Sequence, residues 1–323
     1  MLSPAIATGN LTIRMNTIVR EVLLDRDGLA RGVSYVDRYT FQEGEAYGRV
    51  VVVAASAIET ARLLLNSKSG LFPNGLANSS GQVGRNLVEN VTAGVSGRFD
   101  DFQDRPVTND DAWGGTLMMM APFTNVDEKS RSKKFIRRHV LTMSGGFGRG
   151  SRSVGGYLFG EDFKRDMRRW YGTECSVSGQ GEGIHNPNNY VEIDPEVKDV
   201  WGIPAVRIRL AFGENEQRMV EDITEWGIKI IEAAGGKVTN WNASPSIPGG
   251  SIHEQGTCRM GDDAKRFVTN RWGQCHDVKN LILGDGSLHP TCAIGDPTLT
   301  ILAMSMRNAA HLTAMVRKGE IKT

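Results

Sequence analysis

The chain has 323 residues, of which 40% are hydrophobic, 38 are basic and 37 are acidic. Its length and composition predict a globular protein of about two ordinary domains. The balanced charge disfavours nucleic acid or an anionic membrane as a partner, and a solvated loop or helix face explains the one basic run, residues 129–138. No apolar stretch reaches the roughly 18 residues of a transmembrane segment, so none is predicted.

The four cysteines are widely spaced and form no Cys-x-x-Cys pair, which disfavours a disulfide framework and a redox dithiol. Cys275, His276, His289 and Cys292 could be combined into a zinc set, but their spacing is not that of a structural zinc site. We therefore predict no metal. The first 20 residues lack the apolar core of a signal peptide. Localisation stays undetermined, with the cytoplasm as the default, because an export signal could precede Met1.

The amino-terminal part predicts strands followed by a helix. Residues 10–25 and 31–37 contain β-rich runs, and Arg49–Ala55 is a continuous apolar run typical of a strand buried on both faces. Residues 56–65 then have helical spacing. A strand, a turn of small residues and a helix are how α/β proteins bring a helix N-terminus to a bound phosphate.

The middle of the chain predicts an antiparallel sheet with helices. Short alternating segments separated by loops are typical of such a sheet, and they occur at residues 91–99, 116–121, 139–143, 175–178, 190–193 and 206–210. Residues 214–234 then carry apolar side chains at helical spacing and end at Gly235-Gly236, which predicts a helix.

Three blocks near the carboxyl end point to chemistry. His253 lies in a polar loop, where a neutral imidazole could take a proton from an alcohol. Leu281–Leu283 predicts a short buried strand that ends at Asp285, an acid able to accept a hydrogen bond from a ribityl or ribose hydroxyl. Asp296 and Pro297 predict a capped helix start, with the helix running to about Val316. Taken singly, each block also fits a structural histidine, an ordinary turn or a plain capped helix.

In this order, the blocks resemble the glucose-methanol-choline (GMC) oxidoreductase family. The matching motifs are His-x-x-Gly-Thr-x-Arg-Met-Gly from His253, Asn-Leu-x-x-x-Asp-Gly-Ser from Asn280, and Asp-Pro-Thr-Leu-Thr from Asp296. Residues 53–64 resemble the second family signature, and residues 83–87 resemble the loop that follows it. The resemblance covers essentially the whole chain, with residues 95–210 as the variable substrate-binding part.

The resemblance implies FAD as the cofactor and a CH–OH group of a sugar, polyol or related alcohol as the substrate. His253 would be the base that removes the hydroxyl proton while hydride passes to flavin N5. Asp296 occupies the position of a second active-site side chain that is usually Asn or His. The implied cofactor-binding residues are Val19, Ala55, Ser56, Asp285, Gly286, Pro297 and Thr298.

One family feature is absent from the sequence. The fingerprint Gly-x-Gly-x-x-Gly, which holds the FAD pyrophosphate, does not occur. We therefore expect an α/β fold of GMC type that lacks the amino-terminal FAD-binding βαβ unit. Residues 1–92 and 246–323 would form the remaining FAD-binding domain, and 93–245 a substrate domain with a mostly antiparallel sheet and helices. The alternative is a non-catalytic fragment or interaction module unable to bind FAD alone.

Overall fold

The computed structural model describes residues 2–106, 117–145 and 159–321. The helices in these ranges are α1 (Leu2–Ala7), α2 (Ala57–Asn66), α3 (Gly160–Arg169), α4 (Glu214–Ala233) and α5 (Thr298–Lys318). The strands are β1 (Thr17–Leu24), β2 (Ala30–Asp37), β3 (Glu43–Tyr47), β4 (Val51–Val53), β5 (Arg85–Val88), β6 (Val91–Arg98), β7 (Leu117–Met120), β8 (His139–Gly145), β9 (Glu174–Gly181), β10 (Tyr190–Lys198), β11 (Pro204–Arg209), β12 (Lys237–Trp241), β13 (Gln255–Thr257) and β14 (Leu281–Leu283). The mixed α/β class is confirmed.

Within the described ranges, the strands form four sheets. β1, β2 and β3 make an antiparallel meander, and β12-β6-β9-β8-β7 make a five-stranded antiparallel sheet. β10 and β11 join β5 and β13 in a separate four-stranded antiparallel sheet. β4 and β14 pair in parallel, with Leu281 opposite Val51 and Leu283 opposite Val53. The parallel pair therefore brings the carboxyl ends of β4 and β14 to the same edge.

Two hydrophobic cores hold these sheets. One core lies around the parallel pair and α2, with Leu64 and Leu283 fully buried. In the other, α4 packs on the five-stranded sheet through Met219, Ile223 and Ile231. Over the described residues, no helix combines the length and apolarity that a bilayer span requires.

A glycine lets α4 approach the five-stranded sheet closely. A Cβ added to Gly179 of β9 would lie 2.3 Å from Cγ2 of Ile223. Because real Cβ atoms do not approach other carbons this closely, the helix can reach the sheet only where the strand lacks a side chain.

Candidate active site

His253 lies in the loop before β13, where its two ring nitrogens face different partners. Nδ1 lies 3.1 Å from Oδ1 of Asn90, and Nε2 lies 3.1 Å from Oδ1 of Asp296. The His253 side chain is 16% exposed and that of Asp296 is 70% exposed. The structure thus brings together the two side chains predicted to be catalytic, with Asp296 on the solvent side.

α5 begins beside this pair, but Asp296 does not cap it. Pro297 already has a helical backbone, with φ −79° and ψ −11°, and no side chain accepts from the first turn. The expectation of a cap by Asp296 is therefore wrong, because Pro297 occupies the cap position and leaves the acid one residue too far away. Pro297 is buried, whereas Thr298 is exposed. The start of α5 keeps its free amide groups.

Asp285 ties the end of β14 to the start of α2. Its Oδ2 accepts from the backbone N–H of Ser56 at 3.1 Å and from Oγ1 of Thr60 at 2.5 Å, and its Oδ1 accepts from the N–H of Ser287 at 2.8 Å. The carboxylate is 8% exposed. Since a carboxylate offers about four acceptor directions, internal donors use most of them. Asp285 therefore positions the turns around the site and keeps little capacity for a cofactor hydroxyl.

The turn between β4 and α2 is strained at Ser56. This residue has φ 82° and ψ 168°, a region that is almost restricted to glycine, and no side chain caps α2. Strain of this kind concentrates at ligand sites, where surrounding contacts maintain it. Ser56 is exposed, as is Ala55 before it. The exposed turn and the uncapped amides of α2 could receive an anionic group.

Val19 and Ala55 line one cleft of about 330 Å³ between β1 and α2. Val19 is 40% exposed. The structure therefore places these two predicted cofactor contacts on the same open surface.

The three carboxyl-terminal blocks meet in space. A Cβ added to Gly286 would lie 3.3 Å from the carbonyl oxygen of Glu254, next to His253, and 3.4 Å from Cδ1 of Ile301 on α5. Oγ of Ser305 donates to the carbonyl of Gly284 at 2.8 Å. The end of β14, the His253 loop and the start of α5 therefore form one continuous site.

Sequence reasoning missed Glu89 and Asn90, which lie in the turn between β5 and β6 and are both 0% exposed. The Glu89 carboxylate accepts from the N–H of Gly249 at 2.5 Å and from Oγ of Ser251 at 2.7 Å, so it anchors the loop before His253. In the sequence, these two adjacent polar residues stand between two predominantly apolar segments. Buried polar groups need partners, so this pattern could have indicated that Glu89 and Asn90 bind other parts of the chain.

The cysteines are protonated thiols at neutral pH. Burial raises the pKa of Cys258 and of Cys292 to about 12 and raises the pKa of Cys275 well above its usual range. All four cysteines are free. In the part of the chain that the structure describes, no three His, Cys, Asp or Glu side chains come together as a metal site.

Two family models, both described as GMC oxidoreductase, match residues 1–92 and 186–305. The expected absence of an amino-terminal FAD-binding segment is not supported, because the amino-terminal family model matches residues 1–92.

Curated relatives align along most of the chain. The 2-methyl-1,2-propanediol dehydrogenase of Mycolicibacterium austroafricanum is 32% identical over 91% of this chain and 53% of its own. The 6'''-hydroxyparomomycin C oxidase of Streptomyces lividus is 30% identical over 97% of this chain and 54% of its own. The fructose dehydrogenase large subunit of Gluconobacter japonicus is 27% identical over 94% of this chain and 54% of its own. The chain spans about half the length of these relatives.

Solved structures share the fold. A formate oxidase variant from Aspergillus oryzae RIB40 superposes with a TM-score of 0.69 at 14% identity, covering 96% of this chain and 62% of that one. Pyridoxine 4-oxidase from Mesorbium loti superposes with a TM-score of 0.59 at 19% identity, covering 94% of this chain and 58% of that one. Since the family models match both ends of the chain and the three carboxyl-terminal blocks converge as their motifs require, the chain belongs to the GMC oxidoreductase family.

Proposed function

We propose that this protein carries out FAD-dependent oxidation of a CH–OH group on a sugar, polyol or related alcohol. The observation that carries the proposal is the imidazole of His253, which is 16% exposed, contacts Asn90 through Nδ1 and faces Asp296, next to the start of α5, through Nε2. The names of the relatives support the substrate class, because they include dehydrogenases of a propanediol and of fructose.

The donor groups of the site fit a flavin dinucleotide. The start of α5 has no side-chain cap, so its amides and helix dipole favour an anionic group such as a reduced flavin. At the start of α2, the Asp285 carboxylate already accepts from the N–H of Ser56, and the exposed turn at Ala55 and Ser56 remains for the nucleotide part. The cleft of about 330 Å³ at Val19 and Ala55 offers space for part of the cofactor. In this assignment Val19, Ala55 and Ser56 contact the nucleotide part, Gly286, Pro297 and Thr298 lie toward the flavin, and Asp285 holds the turns between them.

His253 handles the proton of the reaction. When bound, FAD supplies the acceptor for the hydride that leaves the alcohol carbon. The hydroxyl proton moves to Nε2 of His253, so the alcohol becomes a carbonyl compound and the imidazole becomes positively charged. The Asp296 carboxylate, 3.1 Å from Nε2, then accepts a charge-assisted hydrogen bond from the protonated ring.

Flavin binding and reduction test this proposal. The purified protein is incubated with FAD, free flavin is removed, and the bound flavin is exposed to 1,2-diols and sugars without oxygen. We expect retained flavin absorbance that is bleached by at least one of these alcohols. A protein that retains no flavin would contradict the proposal and favour the non-catalytic module, and so would retained flavin that none of the alcohols reduces.

A further inference from the structure

We propose that Asn90 is a positioning residue that fixes the proton of neutral His253 on Nδ1, which leaves the lone pair on Nε2. This inference rests on the proposed role of His253 as the base. It concerns Asn90, a buried polar side chain that contacts the ring on the side opposite Asp296.

The orientation of the Asn90 side-chain amide follows from its own partners. Nδ2 donates to the carbonyl of Ala293 at 2.7 Å and to the carbonyl of Gly181 at 3.2 Å. Carbonyl oxygens only accept, so the NH₂ group must point to them and Oδ1 must face His253. Asn90 is 0% exposed, so no solvent can replace these partners.

The amide orientation decides the tautomer of His253. Oδ1 of Asn90 lies 3.1 Å from Nδ1 and can only accept, so Nδ1 must carry the proton. The opposite tautomer would place two lone pairs against each other, and Asn90 is closed to water that could relieve this contact. In the tautomer that Asn90 favours, Nε2 is unprotonated, as a base requires, although Oδ1 of Asp296 lies 3.1 Å from it. The Asp296 side chain is 70% exposed and its carboxylate can bond to water instead, whereas Asn90 is 0% exposed and cannot, so the contact with Asn90 decides the tautomer.

The turn between β5 and β6, which contains Asn90, also anchors the loop that carries His253. Glu89, the neighbour of Asn90, binds Gly249 and Ser251, and Val88 pairs with Gln255 across β5 and β13. The backbone is therefore fixed on both sides of His253. These contacts hold the main chain of His253 in place next to Asn90.

Nitrogen-15 NMR of the histidine rings tests the inference in the complete chain, with no flavin or substrate present. The sequence has six histidines, and the loss of one set of signals in His253→Gln identifies His253. At a pH where the ring is neutral, we expect the Nδ1–H tautomer in the unsubstituted protein. Finding the Nε2–H tautomer there would overturn the inference without any Asn90 variant.

Two variants sharpen the test. Asn90→Leu removes the acceptor, so we expect the Nε2–H tautomer to appear. Asn189→Leu is the matched control, because Asn189 is also a buried amide whose side chain bonds to the backbone of Ala211. It should leave the His253 tautomer unchanged. An unchanged tautomer in a folded Asn90→Leu would contradict the inference.

Turnover separates this inference from the proposed function. With FAD and an alcohol that reduces it, Asn90→Leu should lower kcat by roughly 10- to 100-fold, with little change in KM. Asn189→Leu should change kcat by no more than about 3-fold. If His253→Gln is fully active, the base role fails while the NMR result still decides the tautomer. If His253→Gln is inactive and Asn90→Leu keeps full kcat, only the role of Asn90 fails.

Discussion

At the scale of single residues, Asp296 presents a carboxylate to the nitrogen that the proposed reaction uses as a base. In Asp296→Asn the amide can still accept from Nε2–H, but without the charge. We expect an unchanged melting temperature and a kcat lowered roughly 10-fold, which corresponds to about 1.4 kcal/mol. Asp262→Asn, at an exposed ion pair with Arg271, is the matched control. Unchanged turnover in Asp296→Asn would rule out a catalytic part for this carboxylate.

Ser56 stores backbone strain at the turn into α2. Glycine adopts this conformation freely, so Ser56→Gly should leave the free energy of unfolding unchanged or raise it by about 1 kcal/mol. Ser96→Gly, in the regular strand β6, should lower it by about 0.5–1 kcal/mol. Chemical denaturation of both variants provides the comparison. Equal losses in both would show that Ser56 is not strained.

His185 makes stability depend on pH. Burial lowers its pKa to about 4, from about 6.5 in an unfolded chain, while its Nδ1 bonds to the carbonyl of Asn86. Between about pH 4 and pH 6.5, His185 is protonated in the unfolded chain and neutral in the folded protein. The stabilisation is therefore complete above about pH 6.5 and is lost as pH falls toward 4, by about 1–3 kcal/mol. Denaturation at several pH values should show a smaller acid loss in His185→Asn; an identical loss would contradict this assignment.

Residue roles were predictable only where a motif carried them. The family motifs pointed to His253, Asp296 and Asp285, and the structure brings the first two into contact. The contact between Asn90 and His253 joins residues 163 positions apart, so only the folded chain shows it. Asp285 was expected to face the cofactor, but donors on Ser56, Thr60 and Ser287 take up most of its hydrogen-bonding capacity.

At the scale of elements, the packing of α4 on the five-stranded sheet depends on Gly179. The added methyl of Gly179→Ala would overlap Ile223, so we expect the free energy of unfolding to fall by about 1–3 kcal/mol. Gly70→Ala, where a Cβ meets no atom within 4 Å, is the control and should be nearly neutral. Adding Ile223→Ala to Gly179→Ala should cost less than the sum of the single losses. Strict additivity would contradict the overlap.

Elements with strong local patterns were predictable, but their pairing was not. The strand at Leu281–Leu283 and the helix from Glu214 follow from apolar run length and helical spacing. The antiparallel segments were expected to share a sheet, yet β10 and β11 join β5 and β13. β13 has only three residues and gains its partner from far along the chain, so no local pattern specifies it.

At the scale of the whole molecule, the His253 site lies where two sheets meet. β5 belongs to the sheet with β13, β6 belongs to the five-stranded sheet, and Glu89 and Asn90 form the turn between them. One face of His253 is thereby fixed by the antiparallel sheets, and the other meets the start of α5. The proposed chemistry needs both sides, because the imidazole must be oriented and its Nε2 must stay accessible.

The most direct test of this account is the rate at which an alcohol reduces the bound flavin in the absence of oxygen. His253→Gln should bind FAD as the unsubstituted protein does and reduce it roughly 100- to 10,000-fold more slowly, because the base is lost. His311 lies on α5 and stacks on Trp272. His311→Gln is the control and should keep the rate within about 2-fold. Flavin reduction by His253→Gln at the rate of the unsubstituted protein would contradict the central claim.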